Sequence, residues 1–202
     1  MAAPRIKSRW FRDATPRDPA ELASAAAAIV WRTADYRVRH MRSVNFAIDA
    51  GEPYIAALVE FLCFLIAIAD RVAYERDPGP WRTAFTSALA IRVGELFQEC
   101  FDELLGPVDG GGYKRRFIER VNERSAEYAA YRCTDAGPEF PLLRHFGDAL
   151  AAALPADFDR RWGADQAMSV EGPAAAETVA GALRALFGAP STRAPRTIGS
   201  TT

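Results

Sequence analysis

The chain has 202 residues and a formal net charge of -1, with 25 lysines and arginines against 26 aspartates and glutamates. This balance argues against a protein whose main role is to coat nucleic acid or an anionic membrane. Hydrophobic residues make up 50% and charged residues 25%, which is typical of globular rather than disordered chains. The 3 cysteines and 2 histidines are too few for a disulfide framework or a zinc ribbon.

The two ends of the chain differ in composition from its centre. Residues 1–17 are basic and lack an apolar period, and residues 189–202 are rich in proline, serine and threonine. We therefore predict two disordered ends and a single helical domain over residues 18–188. Acidic residues, among them Asp13, separate the basic start from the first apolar stretch, which disfavours a signal peptide. The cytoplasm is the expected location.

The first predicted helix begins at Asp18, whose side chain can cap it, with Pro19 at its first position. It is expected to reach Ala50, with Gly51 ending it. The second, from Pro53 to Arg76, is apolar on every side through its middle. A helix that is hydrophobic all round must be surrounded, so this one is predicted to be the buried centre of a bundle. Its apolar run is shorter than the ~20 residues of a membrane span.

The rest of the chain continues the helical pattern, and no strand is predicted. Further helices are expected at Pro80–Leu105, Tyr113–Arg132, Phe140–Leu154 and Pro173–Phe187, with a short one within residues 156–170. The sequence therefore predicts an all-α, single-domain bundle of five to seven helices around the central helix.

Two charged stripes support an antiparallel pairing of the third and fourth helices. Glu95 and Glu99 lie on the third, and a basic stripe (Arg116, Arg120, Arg124) recurs every four residues on the fourth. Glutamates also interleave with these arginines within the fourth helix. Two interpretations stay open: a self-neutralised, solvated helix, or an ion-paired contact with the third helix.

Catalytic and metal-binding patterns are missing from the sequence. Neither His40 nor His145 has a glutamate three residues before it, so the carboxylate–histidine motif of di-metal bundles is not present. No G-x-S-x-G motif occurs, and the cysteines are interpreted as reduced and structural. We name no catalytic residue, metal ligand or cofactor.

Acidic side chains in the central helix are the first candidates for a binding site. Glu60 lies within the apolar run and Asp70 closes it, so each needs a cation from another helix or must be protonated. The candidate cations are Arg32, Arg37, Arg39 and Arg92. These groups form either buried ion pairs that fix helix register or the polar lining of a ligand cavity. The candidate ligand-binding residues are Glu60, Asp70, Arg71, Arg37 and Arg39.

A run of glycines before the fourth helix is the second candidate. Free N–H groups at a helix start, next to cations, can bind an anion, although a plain linker is the alternative interpretation. No complete phosphate-loop motif is present. The candidate anion-binding residues are Gly111, Gly112, Lys114 and Arg115.

These observations predict a non-enzymatic helical interaction or regulatory module that binds a protein partner or self-associates, for example as a homodimer. Exposed aromatics are candidates for the contact surface, namely Trp10, Phe11, Trp31 and Trp81. No nucleic-acid-binding pattern accompanies the locally basic first helix. The alternative function is binding of a small apolar or anionic ligand in a cavity near Glu60 and Asp70.

Overall fold

The computed structural model describes residues 18–44, 48, 51–108, 112–134, 136–155 and 160–188, without the side chain of Arg160. Seven α-helices occur in these residues: α1 (Pro19–Ser43), α2 (Glu52–Arg76), α3 (Pro80–Leu105), α4 (Gly112–Tyr128), α5 (Phe140–Ala153), α6 (Arg160–Gln166) and α7 (Gly172–Gly188). The predicted all-α bundle is confirmed. The predictions for residues 1–17 and 189–202 lie outside the described residues.

Helix α2 is the centre of the bundle, as predicted, and α1, α3, α4, α5 and α7 all pack on it. Every residue from Phe61 to Ile66 is buried. The rings of Phe61 and Phe64 lie 5.0 and 4.3 Å from Phe146 of α5. Burying one such side chain stabilises the fold by about 1.5–3 kcal/mol. None of the helices in the described ranges is long and apolar enough to cross a membrane.

Helix α1 begins as predicted but ends earlier than expected. Asp18 accepts a hydrogen bond from the N–H of Ala20 at 3.2 Å, and Pro19 opens the helix. The helix ends at Ser43, whose hydroxyl donates to the carbonyl of His40 at 2.7 Å, so the predicted end at Ala50 is wrong. Gly51, with φ 109°, precedes α2 as its capping residue and does not end α1.

Helices α3 and α4 form the predicted antiparallel pair. Phe97 and Phe117 stack across the contact at 5.2 Å. Gly94 lets the helices approach closely, because a Cβ there would meet Lys114 at 3.2 Å. Gln98 of α3 accepts a hydrogen bond from the N–H of Lys114 at 2.8 Å, which caps the start of α4.

Two details after α4 correct the sequence analysis. The helix ends at Tyr128 rather than Arg132, and a two-stranded hairpin of β1 (Cys133–Thr134) and β2 (Gly137–Pro138) follows, where no strand was predicted. Arg71 of α2 donates to the carbonyls of Tyr128 and Tyr131 at 3.2 and 3.3 Å. These bonds hold the chain at and just after the end of α4 against α2.

Helices α6 and α7 are joined without a break by a π-helical turn, Ala167–Glu171. The N–H of Gly172 donates to the carbonyl of Ala167, five residues before it. Pro173 follows and has no N–H to donate, so the ordinary helical ladder cannot run through this point. Residues 160–188 therefore form one continuous helical segment, whereas the sequence predicted two separate helices.

Candidate functional site

Glu60 is held by α4 and not by any of the predicted cations. It is 3% exposed and accepts two hydrogen bonds from Arg124, Nε to Oε2 at 2.7 Å and Nη2 to Oε1 at 2.9 Å. Arg120 approaches Oε1 at 4.0 Å. The prediction that Arg32, Arg37, Arg39 or Arg92 pairs with Glu60 is wrong, because α4 turns two members of its basic stripe towards α2.

A hydrogen-bonded chain extends from this ion pair to α5. Arg124 also donates to Glu127 at 2.7 Å, and Glu127 contacts Nε2 of His145 at 2.9 Å. The hydrogen bond from Arg124, followed by that from His145, lowers the pKa of the Glu127 carboxyl. Cys63 lies beside Glu60, and its burial raises the thiol pKa well above the ordinary value. This series of hydrogen bonds connects α2, α4 and α5.

Asp70 is a separate site from Glu60. It accepts hydrogen bonds from Arg82 at 2.9 and 2.5 Å and from Thr86 at 2.8 Å, both on α3. Together with Arg71 it lines a small pocket of about 230 Å³. Ten residues along one helix place Glu60 and Asp70 roughly 15 Å apart, so one cavity of this size does not bring them together.

Arg37 contacts a carboxylate that sequence reasoning missed. Glu171, in the π-helical turn, is 0% exposed and contacts Nδ1 of His40 at 2.7 Å, Gln166 at 3.1 Å and Arg37 at 3.5 Å. Nε of Arg37 is buried without a partner in the described part of the chain. The glutamate two residues before Pro173 was the available signal, but its burial depends on the π-helical turn.

The described residues of the predicted anion site already have partners within the protein. Gly111 lies outside the described residues, and Gly112, with φ 65°, starts α4 directly against Gln98. Lys114 pairs with Glu95 at 3.2 Å, and Arg115 pairs with Glu119 at 3.0 Å. Within the basic stripe, Arg120 and Arg124 pair with Glu123 and Glu127 of α4 itself and with Glu60 of α2, so the described ion pairs of the stripe do not reach α3. The ion pair that joins α3 and α4 comes from Lys114, outside the stripe. The anion site stays a prediction.

Arg39, the remaining predicted residue, lies at the mouth of a larger pocket between α1, α2 and α3. This pocket, here called the α1–α3 pocket, has a volume of about 580 Å³. Its lining residues are Trp31, Asp35, Arg39, Arg42, Gly51, Tyr54, Ile55, Leu58, Cys100, Phe101, Leu104 and Leu105. Its volume lies in the range of small-molecule sites, and an apolar lining with a few polar groups is also typical of them.

The polar groups at the mouth of the α1–α3 pocket form one network. Asp35 accepts a hydrogen bond from the hydroxyl of Tyr54, and its carboxylate forms an ion pair with Nε of Arg39 at 2.9 Å. Burial first, and then the hydrogen bond to Asp35, raises the pKa of Tyr54 to about 12. The guanidinium of Arg42 lies 5.9 Å from the centre of the Tyr54 ring. The carboxylate of Asp35 therefore binds the hydroxyl of Tyr54 and the guanidinium of Arg39, and it has no ion pair with Arg42.

Comparison with protein-family models, curated proteins and solved structures gives no match.

Two other pockets are of similar size, and an ion pair lines each of them. The one between α2, the hairpin and α7 has a volume of about 540 Å³, and Glu75 pairs there with Arg184 at 2.9 Å. The one between α5 and α6, about 580 Å³, is lined by Arg144 and Asp148, which lie 3.8 Å apart. In the α1–α3 pocket the lining Arg42 has no carboxylate partner in the described part of the chain, and its guanidinium lies over the Tyr54 ring.

The described residues contain no group of three or more histidine, cysteine, aspartate or glutamate side chains placed to hold a metal ion. His40 and Glu171 form a two-membered contact in which the carboxylate fixes Nδ1. His145 is bound on both nitrogens, by Glu127 at 2.9 Å and Tyr131 at 3.4 Å. A carboxylate therefore contacts each of the two histidines.

Proposed function

We propose that this protein is a non-enzymatic helical module that binds a small apolar ligand in the α1–α3 pocket. The observation that supports the proposal is the pocket itself: about 580 Å³ of space whose lining includes Trp31, Ile55, Leu58 and Phe101. When a ligand removes apolar surface of this kind from water, the free energy falls by about 25 cal/mol for each Å² buried. The proposal keeps the alternative function expected from the sequence but moves its site away from Glu60.

The pocket is framed by a rigid part of the fold. Trp31 packs edge-on against Phe97 at 6.4 Å, and Phe97 lies 4.5 Å from Phe101. Leu58 is 1% exposed and belongs to the core of α2. A site built on helices with such neighbours is largely formed before a ligand arrives, which reduces the entropy cost of binding.

The test uses N-phenyl-1-naphthylamine, a neutral apolar dye whose fluorescence rises in apolar surroundings. We expect saturable binding to the wild-type protein, together with a change in Trp31 emission. Ile55→Glu places a carboxylate in the pocket and should weaken binding at least tenfold. Ile91→Glu is the matched control, since Ile91 is 48% exposed on α3 and does not line the pocket.

Two results would contradict the proposal: no dye binding to the wild-type protein, or equal binding by Ile55→Glu and Ile91→Glu. Circular dichroism spectra of both variants must match that of the wild type. Replacement of Trp31 by phenylalanine provides a second check. The emission change should disappear in this variant while the dye still binds.

A second candidate is the interaction module expected from the sequence, in the form of self-association. The observation in its favour is the exposure of Leu104 and Leu105, 69% and 57%, at the end of α3. Trp31 and Trp81, predicted as contact residues, are half-buried and pack against the core, and Trp10 and Phe11 lie outside the described residues. Light scattering tests this candidate: a monomer at all concentrations contradicts it, and a dimer lost in Leu104→Glu supports it.

A further inference from the structure

The mouth of the α1–α3 pocket carries one positive charge that no carboxylate in the described part of the chain balances. Asp35 and Arg39 neutralise each other at 2.9 Å, and the hydroxyl of Tyr54 is occupied by the same carboxylate. Arg42 contributes a second guanidinium, which lies over the face of the Tyr54 ring. The lining residues with formal charge are thus one acid and two bases, which together carry a net charge of +1.

This charge is available to a ligand. Arg42 is exposed, so its guanidinium is solvated and pairing it with an anion leaves no buried charge behind. Arginine presents several N–H donors in a planar fork that matches a carboxylate. Arg39 is less suited to this role, because Asp35 already accepts from its Nε and raises its pKa.

We propose that the ligand is a single-chain amphiphile with a carboxylate head, which Arg42 pairs while the alkyl chain lies against the apolar lining. The inference rests on the proposed function, since it requires a ligand in the same pocket. It adds the chemical class: an anion at one end and hydrocarbon at the other. A neutral alcohol of equal length would bury the same chain but leave Arg42 unpaired, and a quaternary ammonium head would be repelled.

The test measures how well decanoate, decanol and decyltrimethylammonium displace N-phenyl-1-naphthylamine below their aggregation concentrations. For the wild-type protein at low salt we expect decanoate to bind about five- to tenfold more tightly than decanol; a tenfold ratio corresponds to about 1.4 kcal/mol. In Arg42→Gln the ratio should fall to about one, and in Arg42→Lys, which keeps the charge, a preference should remain. Arg116→Gln removes an exposed arginine outside the pocket and should keep the full ratio.

A covalent readout comes from Cys100, which lines the pocket. Cys63 is 1% exposed, and Cys133 can be replaced by serine. In the Cys133→Ser protein, decanoate should slow the reaction of Cys100 with a maleimide, and equal concentrations of decanol should slow it less. Arg42→Gln should remove the difference between the two compounds.

The outcomes separate this inference from the proposed function. If neither the dye nor decanoate binds, by fluorescence or calorimetry, both fail. If the dye binds but decanoate and decanol displace it equally, or if Arg42→Gln keeps the preference, the carboxylate assignment alone is overturned. The assignment is also overturned if the protein adsorbs to phosphatidylserine vesicles while monomeric decanoate does not displace the dye. The charge of Arg42 would then bind a lipid surface.

Discussion

Replacing Arg124 by methionine removes the two hydrogen bonds, 2.7 and 2.9 Å long, that hold the carboxylate of Glu60 between α2 and α4. The carboxylate would then lie in the core, where an unpaired charge is strongly unfavourable. Removing one partner of a fully buried ion pair costs about 3–5 kcal/mol. The side chain of Arg124 is 14% exposed and Arg120 remains within 4.0 Å, so we expect the lower value of about 2–3 kcal/mol.

Urea unfolding followed by far-ultraviolet circular dichroism measures this cost. With a slope of about 2 kcal/mol per M, the midpoint of Arg124→Met should fall by about 1–1.5 M. Arg116→Met is the matched control on the same helix, because Arg116 is exposed, and its free energy of unfolding should change by less than about 0.5 kcal/mol.

A double variant distinguishes a stranded charge from lost packing. Replacing both Glu60 and Arg124 by methionine leaves no charge in the core, so it should recover much of the stability lost in Arg124→Met. The reasoning is refuted if Arg124→Met is as stable as Arg116→Met. It is also refuted if the double variant is no more stable than Arg124→Met alone, since the loss would then come from packing.

Two further stability predictions follow from close contacts and from charge. In a thermal unfolding scan, Gly147→Ala should destabilise the protein by about 1–3 kcal/mol, because the new Cβ would lie 2.7 Å from the backbone oxygen of Ala164. Gly181→Ala has open space around it and should stabilise α7 by up to about 1 kcal/mol in the same scan. The lowered pKa of Glu127 contributes stability that is present above the unfolded carboxyl pKa and is lost as pH falls through the folded value. Glu127→Gln should therefore lose less stability than the wild type between pH 6 and pH 3.5, and an equal loss in both would contradict this.

The helices were predictable because their signals are local. Proline at the first position and apolar spacing located α2, α3 and α5 to within one residue at their starts. The ends were less predictable, because the hydroxyl of Ser43 donates to the carbonyl of His40 at the end of α1, and Arg71, from another helix, binds the carbonyl of the last residue of α4. Such end contacts depend on tertiary packing that periodicity does not record.

The partners of buried charges could not be read from the sequence for a different reason. Arginines and glutamates interleave along α4, and only the rotation of this helix about its axis decides whether Arg124 turns towards α2 or α3. Glu171 was missed because one extra residue in the π-helical turn shifts its direction relative to an ordinary helix. Rotation and register are properties of the packed bundle.

The α1–α3 pocket lies between these two cases. Trp31, Asp35, Arg39 and Arg42 are spaced by four, four and three residues, so the sequence alone places them on one face of α1. Along that face the side chains change from a half-buried indole to an exposed guanidinium, as an amphiphile changes from chain to head. What the sequence lacks is the opposite wall, which Tyr54 and residues of α3 supply only after α1, α2 and α3 pack. The sequence therefore records one wall of the pocket, and the packing of the three helices supplies the other.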